Sequence, residues 1–254
     1  MTEGETDPSR TVWSLTGKDA LPFLQGLVTN DMRQLEAGPG IVWAALLTPQ
    51  GKYLADFFVV RTGDVSLLID IGTALAPATL RRLSMYRLRA DVQITPTTLH
   101  VRRGLGHAPE GALPDPRHDA LGWRAWTSQP GSPPAIDWDR IRVAHLIPES
   151  GIELIPDDSY ILEHGFERLH GVDFRKGCYV GQEVTARMKH KTELRKGLVR
   201  VSVSGSAPVG TEITAAGKPA GTLYTQSGGE GIAYLRLDRA DPPMVAGSAT
   251  LALA

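Results

Sequence analysis

The spacing of apolar and polar positions divides the chain into a mixed first part and a β-rich last part. "TVWSLTGKDALPFLQGLVTNDM" reads as a short strand, then a helix with Leu21, Leu24 and Val28 at helical spacing, closed by a polar turn. In "GIVWAALLTPQGKYLADFFVVRTGDVSLLID" the apolar runs are cut by Pro49-Gln50-Gly51 and by Thr62-Gly63-Asp64, the pattern of consecutive antiparallel strands. "TALAPATLRRLSMYRLRADVQI" places Leu80, Leu83 and Arg87 or Leu88 on one helix face, with Pro77 in the first turn, before Val92 and Ile94 resume a strand.

Residues 100–134 are rich in Gly, Pro and Arg, with short apolar pieces around Trp123 and Trp126, and are expected to form irregular strands and loops. "AIDWDRIRVAHLIPESGIEL" predicts a helix stopped before Pro148. "SYILEHGFERLHGVDF" puts Leu162, Phe166 and Leu169 at i, i+4 and i+7, a further helix. Val180, Val184 and Met188 share one face and Glu183, Arg187 and Lys191 another, which predicts helix from about Tyr179. Beyond Lys196, "LVRVSV", "TEIT", "PAGTLYT", "GIAYLRL" and "ATLALA" are short β-rich pieces between Gly and Pro turns, a small all-β domain.

Composition narrows the function classes. With 254 residues, a formal net charge of -1 and 22% charged residues, the chain is an ordinary globular protein and not a non-specific nucleic-acid binder. No apolar run reaches the ~18 residues of a membrane helix, and the start "MTEGETDPSR" is acidic and polar, so no membrane partner and a cytoplasmic location are expected. The single cysteine excludes an intramolecular disulfide framework and suits a reducing compartment.

That cysteine, Cys178, lies between Gly177 and Gly181 beside Arg175 and Lys176. At the start of the expected helix, orphan N–H groups, the helix dipole and the two cations would all favour a thiolate, the form that attacks electrophiles and binds soft metals. The alternative is a small buried residue. One thiol cannot hold an iron-sulfur cluster unaided, so no stable metal site is expected and Cys178 is a candidate transient ligand completed by another protein. Arg175, Lys176, Arg187, Lys189, Lys191, Arg195, Lys196 and Arg200, offset by Asp173, Glu183 and Glu193, form a basic stretch that either binds a polyanion or is a solvated face. Neither a phosphate-binding loop nor a nucleophile elbow occurs.

"GVDFRKGCYVGQEVTARMKH" resembles the signature Lys-Gly-Cys-[Tyr/Phe]-x-Gly-Gln-Glu of the YgfZ family, matched at Lys176, Gly177, Cys178, Tyr179, Gly181, Gln182 and Glu183. "FLQGLVTNDM" and "LLTPQGKYLADFFV" resemble two further segments of that family. The resemblance implies a folate-binding factor of iron-sulfur cluster maturation, related to the aminomethyltransferase (T-protein) of glycine cleavage. The implied fold is α+β: three small domains in a ring, ending in a C-terminal β-barrel. In this chain they would be an N-terminal region over 1–98, a middle region over 99–195 interleaved with it in space, and the barrel over 196–254.

The resemblance further implies tetrahydrofolate or a derivative as cofactor, with Arg142 and Arg187 against its carboxylate tail, Cys178 as the functional thiol, and a transient shared iron-sulfur cluster. Partners would be iron-sulfur assembly proteins and 4Fe-4S client enzymes, including those of tRNA modification, without direct nucleic-acid binding. Two departures stand out. Leu146 occupies a position where the family has glycine. After "LLID", where T-proteins lead to a catalytic Asp, this chain continues "IGTALAPATL" with no acid before Asp91. The expected role is therefore an accessory factor and not a turnover enzyme, the alternative being a folate-dependent one-carbon transferase.

Overall fold

The computed structural model describes residues 4–63, 66–191, 194–240 and 243–254. The turn residue Asp64 and Glu193 lie outside these residues, as does the side chain of Lys191. The chain forms two compact units, Met1–Ala135 with Glu167–Gln182, and Ile136–Phe166 with Glu183–Ala254. The stretch 99–195, expected as one middle region, is thus divided between them.

Among the described residues, the first unit contains β1 (Glu5–Thr6), β2 (Arg10–Thr16), α1 (Ala20–Gln25), β3 (Gly40–Leu47), β4 (Tyr53–Arg61), β5 (Leu67–Gly72), α2 (Ala76–Arg87), β6 (Gln93–Pro96), β7 (His100–Gly104), β8 (Leu113–Pro114) and β9 (Trp123–Thr127). A five-stranded sheet has the order β3-β4-β5-β2-β6, and a four-stranded sheet the order β1-β7-β9-β8. Alternation within the strands sends Val42, Ala44, Leu46, Phe57, Val59, Ile69 and Ile71 to an apolar core shared with Leu24 and Val28 and with Leu83 of α2.

Trp43, Asp56, Phe58 and Asp70 are among the residues at the intervening positions of β3, β4 and β5. Asp70, fully buried, accepts from Arg10 Nε at 2.6 Å, Arg124 Nη2 at 3.0 Å and Trp126 Nε1 at 3.2 Å. Asp115 accepts from Arg117 Nη2 at 2.8 Å. The guanidinium groups of Arg124, Arg117 and Arg10 lie 4.4, 4.9 and 5.2 Å from the centroid of the Phe58 ring. Residues 100–134, the least regular part of the sequence, are ordered partly by this network, because β9 supplies both Arg124 and Trp126.

The second unit contains α3 (Trp138–His145) and, beginning at the boundary between the units, α4 (Gln182–Lys191). Its strands are β10 (Lys196–Ser204), β11 (Thr211–Ala215), β12 (Lys218–Ser227), β13 (Glu230–Arg236), β14 (Met244–Ala246) and β15 (Ala249–Leu253). These six close into a barrel of order β10-β13-β12-β11-β14-β15. Its interior holds Val201, Ile213, Leu223, Ala233, Leu235, Met244 and Leu251. Asp137 caps α3 by accepting from the Arg140 N–H, and Leu146 ends it at φ 51°, ψ 48°. This is the left-handed conformation that glycine adopts freely and that costs other residues about 1–2 kcal/mol, which accounts for the family's glycine at this position.

Three expected helices differ from the structure. The first, α1, ends at Gln25, so Val28 lies beyond it, although Val28 is buried in the same core. Residues 160–170 form consecutive turns instead of a helix, with i to i−3 bonds such as Glu163 N–H to Tyr160 O and His164 N–H to Ile161 O. Gly165 at φ 78° and His170 at φ 58° interrupt a regular helix there, although Leu162, Phe166 and Leu169 are buried as their spacing predicted. Helix α4 starts at Gln182 and not near Tyr179, because Gly181 takes φ 84°.

Burial opposes ionisation of Asp70, but Arg10 and Arg124 outweigh it and hold the carboxyl below its ordinary value. A depressed folded-state value makes this contribution complete above the unfolded value of about 3.9, and the contribution is lost as pH falls through the folded value. Asp70→Asn should therefore lower stability by about 3–5 kcal/mol at neutral pH. It should also flatten the acid limb of the stability profile. Urea unfolding across pH tests this, and an equal loss at every pH would contradict it.

Candidate functional site

The two N-terminal segments that resemble the YgfZ family meet residues 171–182 of the third, distant in sequence, in the first unit. Residues 26–31, after α1, take an irregular path, and residues 170–176 are irregular too, so regular ladders do not satisfy most of their backbone groups. Side chains do so instead. Thr29 Oγ1 donates to Gly171 O at 2.7 Å and accepts from the Ala45 N–H at 2.9 Å. Asn30 Nδ2 donates to His170 O at 2.7 Å and to Trp43 O at 2.8 Å. The Asp173 N–H donates to Thr29 O at 3.1 Å.

The seam ends at Lys176. Its ammonium donates to Gln25 O at 2.5 Å and Val28 O at 2.7 Å, and lies 4.8 Å from the centroid of the Tyr179 ring. Gln25 is the last residue of α1, so the cation sits on carbonyls at the negative end of a helix. In return, Gln25 Nε2 donates to Lys176 O at 3.1 Å, while its Oε1 accepts from the Met32 N–H at 2.7 Å. Burial pulls the Lys176 ammonium down to about 8, against the opposing pull of Asp31 and Asp173. Lys176 was expected in a basic surface stretch; it is instead 5% exposed.

After Lys176 the chain surfaces for two residues and returns. Gly177 (φ 97°) and Cys178 are exposed, whereas Tyr179 is buried and Val180 packs on the apolar core. Gly181 then lies against the β3–β4 turn, where an added Cβ would stand 2.6 Å from Thr48 O and 3.2 Å from Gly51 Cα. Gln182 Nε2 closes the loop by donating to Gly177 O at 3.0 Å. The thiol is thus presented to solvent between two buried anchors. It lies four residues before the start of α4, which corrects the expectation that helix begins near Tyr179 with the thiol at its N-terminus. Burial as a small core residue is also ruled out, because Cys178 is exposed.

The remaining expected residues lie in the second unit. Glu183 is exposed in the first turn of α4, and Arg187 is exposed on the same helix. Arg142, 4% exposed, has its guanidinium engaged: Nη1 donates to Glu153 Oε2 at 3.0 Å and Ile147 O at 3.2 Å, Nη2 to Thr225 Oγ1 at 2.8 Å and Asp139 Oδ1 at 2.9 Å. Through Thr225 it ties α3 to barrel strand β12. Among the described residues, no three His, Cys, Asp or Glu side chains converge as a metal site.

Sequence reasoning missed Gln25, Thr29 and Asn30 as parts of the site. The available signal was their chemistry, three amide or hydroxyl side chains within an apolar run. The contact at Gly181 gives a test: Gly181→Ala should cost about 1–3 kcal/mol more than Gly177→Ala, since both glycines have positive φ but only Gly181 is crowded. Equal losses on thermal unfolding would contradict the packed contact.

Comparison with known proteins follows the same division. Residues 195–254 match the family model described as CAF17, C-terminal beta-barrel domain. The chain is 30% identical over 280 residues to the mitochondrial iron-sulfur cluster assembly factor IBA57 of Mus musculus, a match covering 92% of this chain and 78% of that protein. It is 32% identical over 232 residues to the mitochondrial IBA57 homolog of Mycosarcoma maydis, covering 79% of this chain and 58% of that protein. The crystal structure of glycine cleavage system aminomethyltransferase T from Bartonella henselae matches with a TM-score of 0.68 at 13% identity, covering 98% of this chain and 85% of that one. This bears out a T-protein-like fold with mixed α/β sheets and a closed C-terminal barrel. The cytoplasmic expectation is overturned, because these IBA57 relatives are named as mitochondrial. A single cysteine suits a reducing environment but does not distinguish one compartment from another. The identity to the mouse protein, over most of both sequences, refines the YgfZ resemblance: the chain belongs to the IBA57 family of iron-sulfur cluster assembly factors.

Proposed function

We propose that the protein assists assembly or repair of 4Fe-4S clusters on client enzymes, with Cys178 as the sulfur that meets the cluster. The observation that carries this reading is the exposed thiol between the buried anchors Lys176 and Gly181. Family membership supports the same chemistry. An exposed thiol that gives up its proton offers one soft ligand position. The chain has only this cysteine, so a partner from the iron-sulfur assembly machinery supplies the other positions on the cluster, which is cargo.

A reduced folate is the small molecule proposed alongside it, supported by the likeness to an aminomethyltransferase fold. In this reading the carboxylate tail pairs with Arg187, exposed on α4, because the Arg142 guanidinium already serves four protein acceptors. One-carbon transfer to or from folate is the second reading, favoured by the same fold. It is weaker, because Asp70 on β5 is buried under two arginines and the next acid in the chain is Asp91.

Replacing an exposed side chain leaves stability within about 0.5 kcal/mol. Cys178→Ala should therefore melt like the wild type while cells depending on it lose 4Fe-4S enzyme activity. Wild-type activity with this variant would remove the thiol from the mechanism. Tetrahydrofolate titration of the same variant separates the two proposals, since folate binding should survive the substitution.

A further inference from the structure

The barrel carries an open pocket of about 270 Å³ that the reading above does not use. Its lining includes Lys196, Gly221, Thr222, Tyr234, Arg236 and Arg239. Three of its lining residues are cations and none is a carboxylate.

Strand register makes this arrangement unusual. β10 and β13 pair antiparallel with Lys196 directly opposite Arg236. Residues paired in this way project to the same face, and like charges placed opposite one another destabilise a sheet. Tyr234, opposite Leu198 and Thr222 and two residues before Arg236, shares that face. The barrel gains nothing from such a pair of cations, whereas an anion between them turns the repulsion into attraction.

The side chains are also held in place. Arg236 donates from Nε and Nη2 to Asp238 at 3.3 and 3.1 Å, using two of its five N–H groups. Arg239 Nη1 donates to Pro219 O at 3.1 Å. Lys196 Nζ lies 6.0 Å from the centroid of the Tyr234 ring. The ring is fixed by its hydroxyl, which donates to Glu163 Oε2 at 2.6 Å, and by stacking on His164 at 5.2 Å. Asp238, which pairs with Arg236, and Glu163, which accepts from Tyr234, are the acids in contact with this set, so the three cations keep an excess of one positive charge.

We propose that this pocket binds a phosphate group, either free phosphate or the terminal phosphate of a nucleotide. The donors come from different elements: Lys196 from β10, Arg236 from β13 and Arg239 from the 3-10 turn Leu237–Arg239, with Thr222 of β12 lining the pocket beside them. A tetrahedral anion with three or four oxygens can accept from all of them, whereas a planar carboxylate offers two oxygens.

The test uses the full chain, with inorganic phosphate, ATP and succinate as probes and the amide signals of Gly221 and Thr222 as the NMR readout. Phosphate or ATP should shift these signals, with affinity about tenfold lower in Lys196→Gln and in Arg239→Gln. ATP binding well above phosphate assigns the site to a nucleotide, and equal binding assigns it to phosphate itself. Succinate binding as tightly as phosphate, an absence of shifts, or unchanged affinity in both variants would overturn the proposal. Without ligand, Lys196→Gln should melt no lower than wild type, because it relieves the repulsion across β10 and β13. A lower midpoint would mean that Lys196 serves the barrel and not an anion.

Discussion

The lysine clamp on the end of the first helix is the interaction on which the candidate site depends. Lys176 holds the carbonyls of Gln25 and Val28, and Gln25 holds the Lys176 carbonyl in return. These bonds join segments about 150 residues apart in sequence, in a stretch where neither strand nor helix satisfies the backbone. Leaving a buried carbonyl without a donor costs about 1–3 kcal/mol, so several such groups make the seam cooperative. Thr29 and Asn30 extend it by taking Gly171 O and His170 O. The loop bearing Cys178 gets its position from this seam and needs no regular secondary structure of its own.

This changes the reason why the cysteine is available. A helix dipole would tune the thiol through α4, but α4 begins only at Gln182. What the fold supplies is exposure at a fixed place. Lys176 and the crowded Gly181 hold the ends of the loop, the Tyr179 ring lies beneath the ammonium, and only Gly177 and Cys178 emerge. The residues around the cysteine in the signature thus act mainly as anchors. Lys176 was expected as surface charge and is the most deeply engaged of them.

Much of the architecture was legible because it rests on periodicity. Apolar runs cut by turn residues in residues 40–72 gave strands of the larger sheet, and the β-rich pieces after Lys196 gave an all-β domain, which the family resemblance made a barrel. Periodicity placed Leu162, Phe166 and Leu169 inside but could not show that Gly165 turns the backbone between them. The charged layer was invisible for a related reason, since Asp70 pairs with Arg10 and Arg124 more than 50 residues away and such pairs carry no local pattern. At the site, the single cysteine of the chain and the family resemblance singled out the motif. Neither revealed that Gln25, Thr29 and Asn30 complete it, because those contacts are made to backbone carbonyls, which every residue type possesses.

The most direct test of this account is a double-mutant cycle on client 4Fe-4S enzyme activation with Cys178→Ala, Lys176→Met and the two combined, at matched protein levels. If Lys176 acts by holding Cys178 in place, the double variant should be no worse than Cys178→Ala alone. Multiplying losses would show that the lysine acts independently of the thiol and would contradict the clamp as the basis of the site.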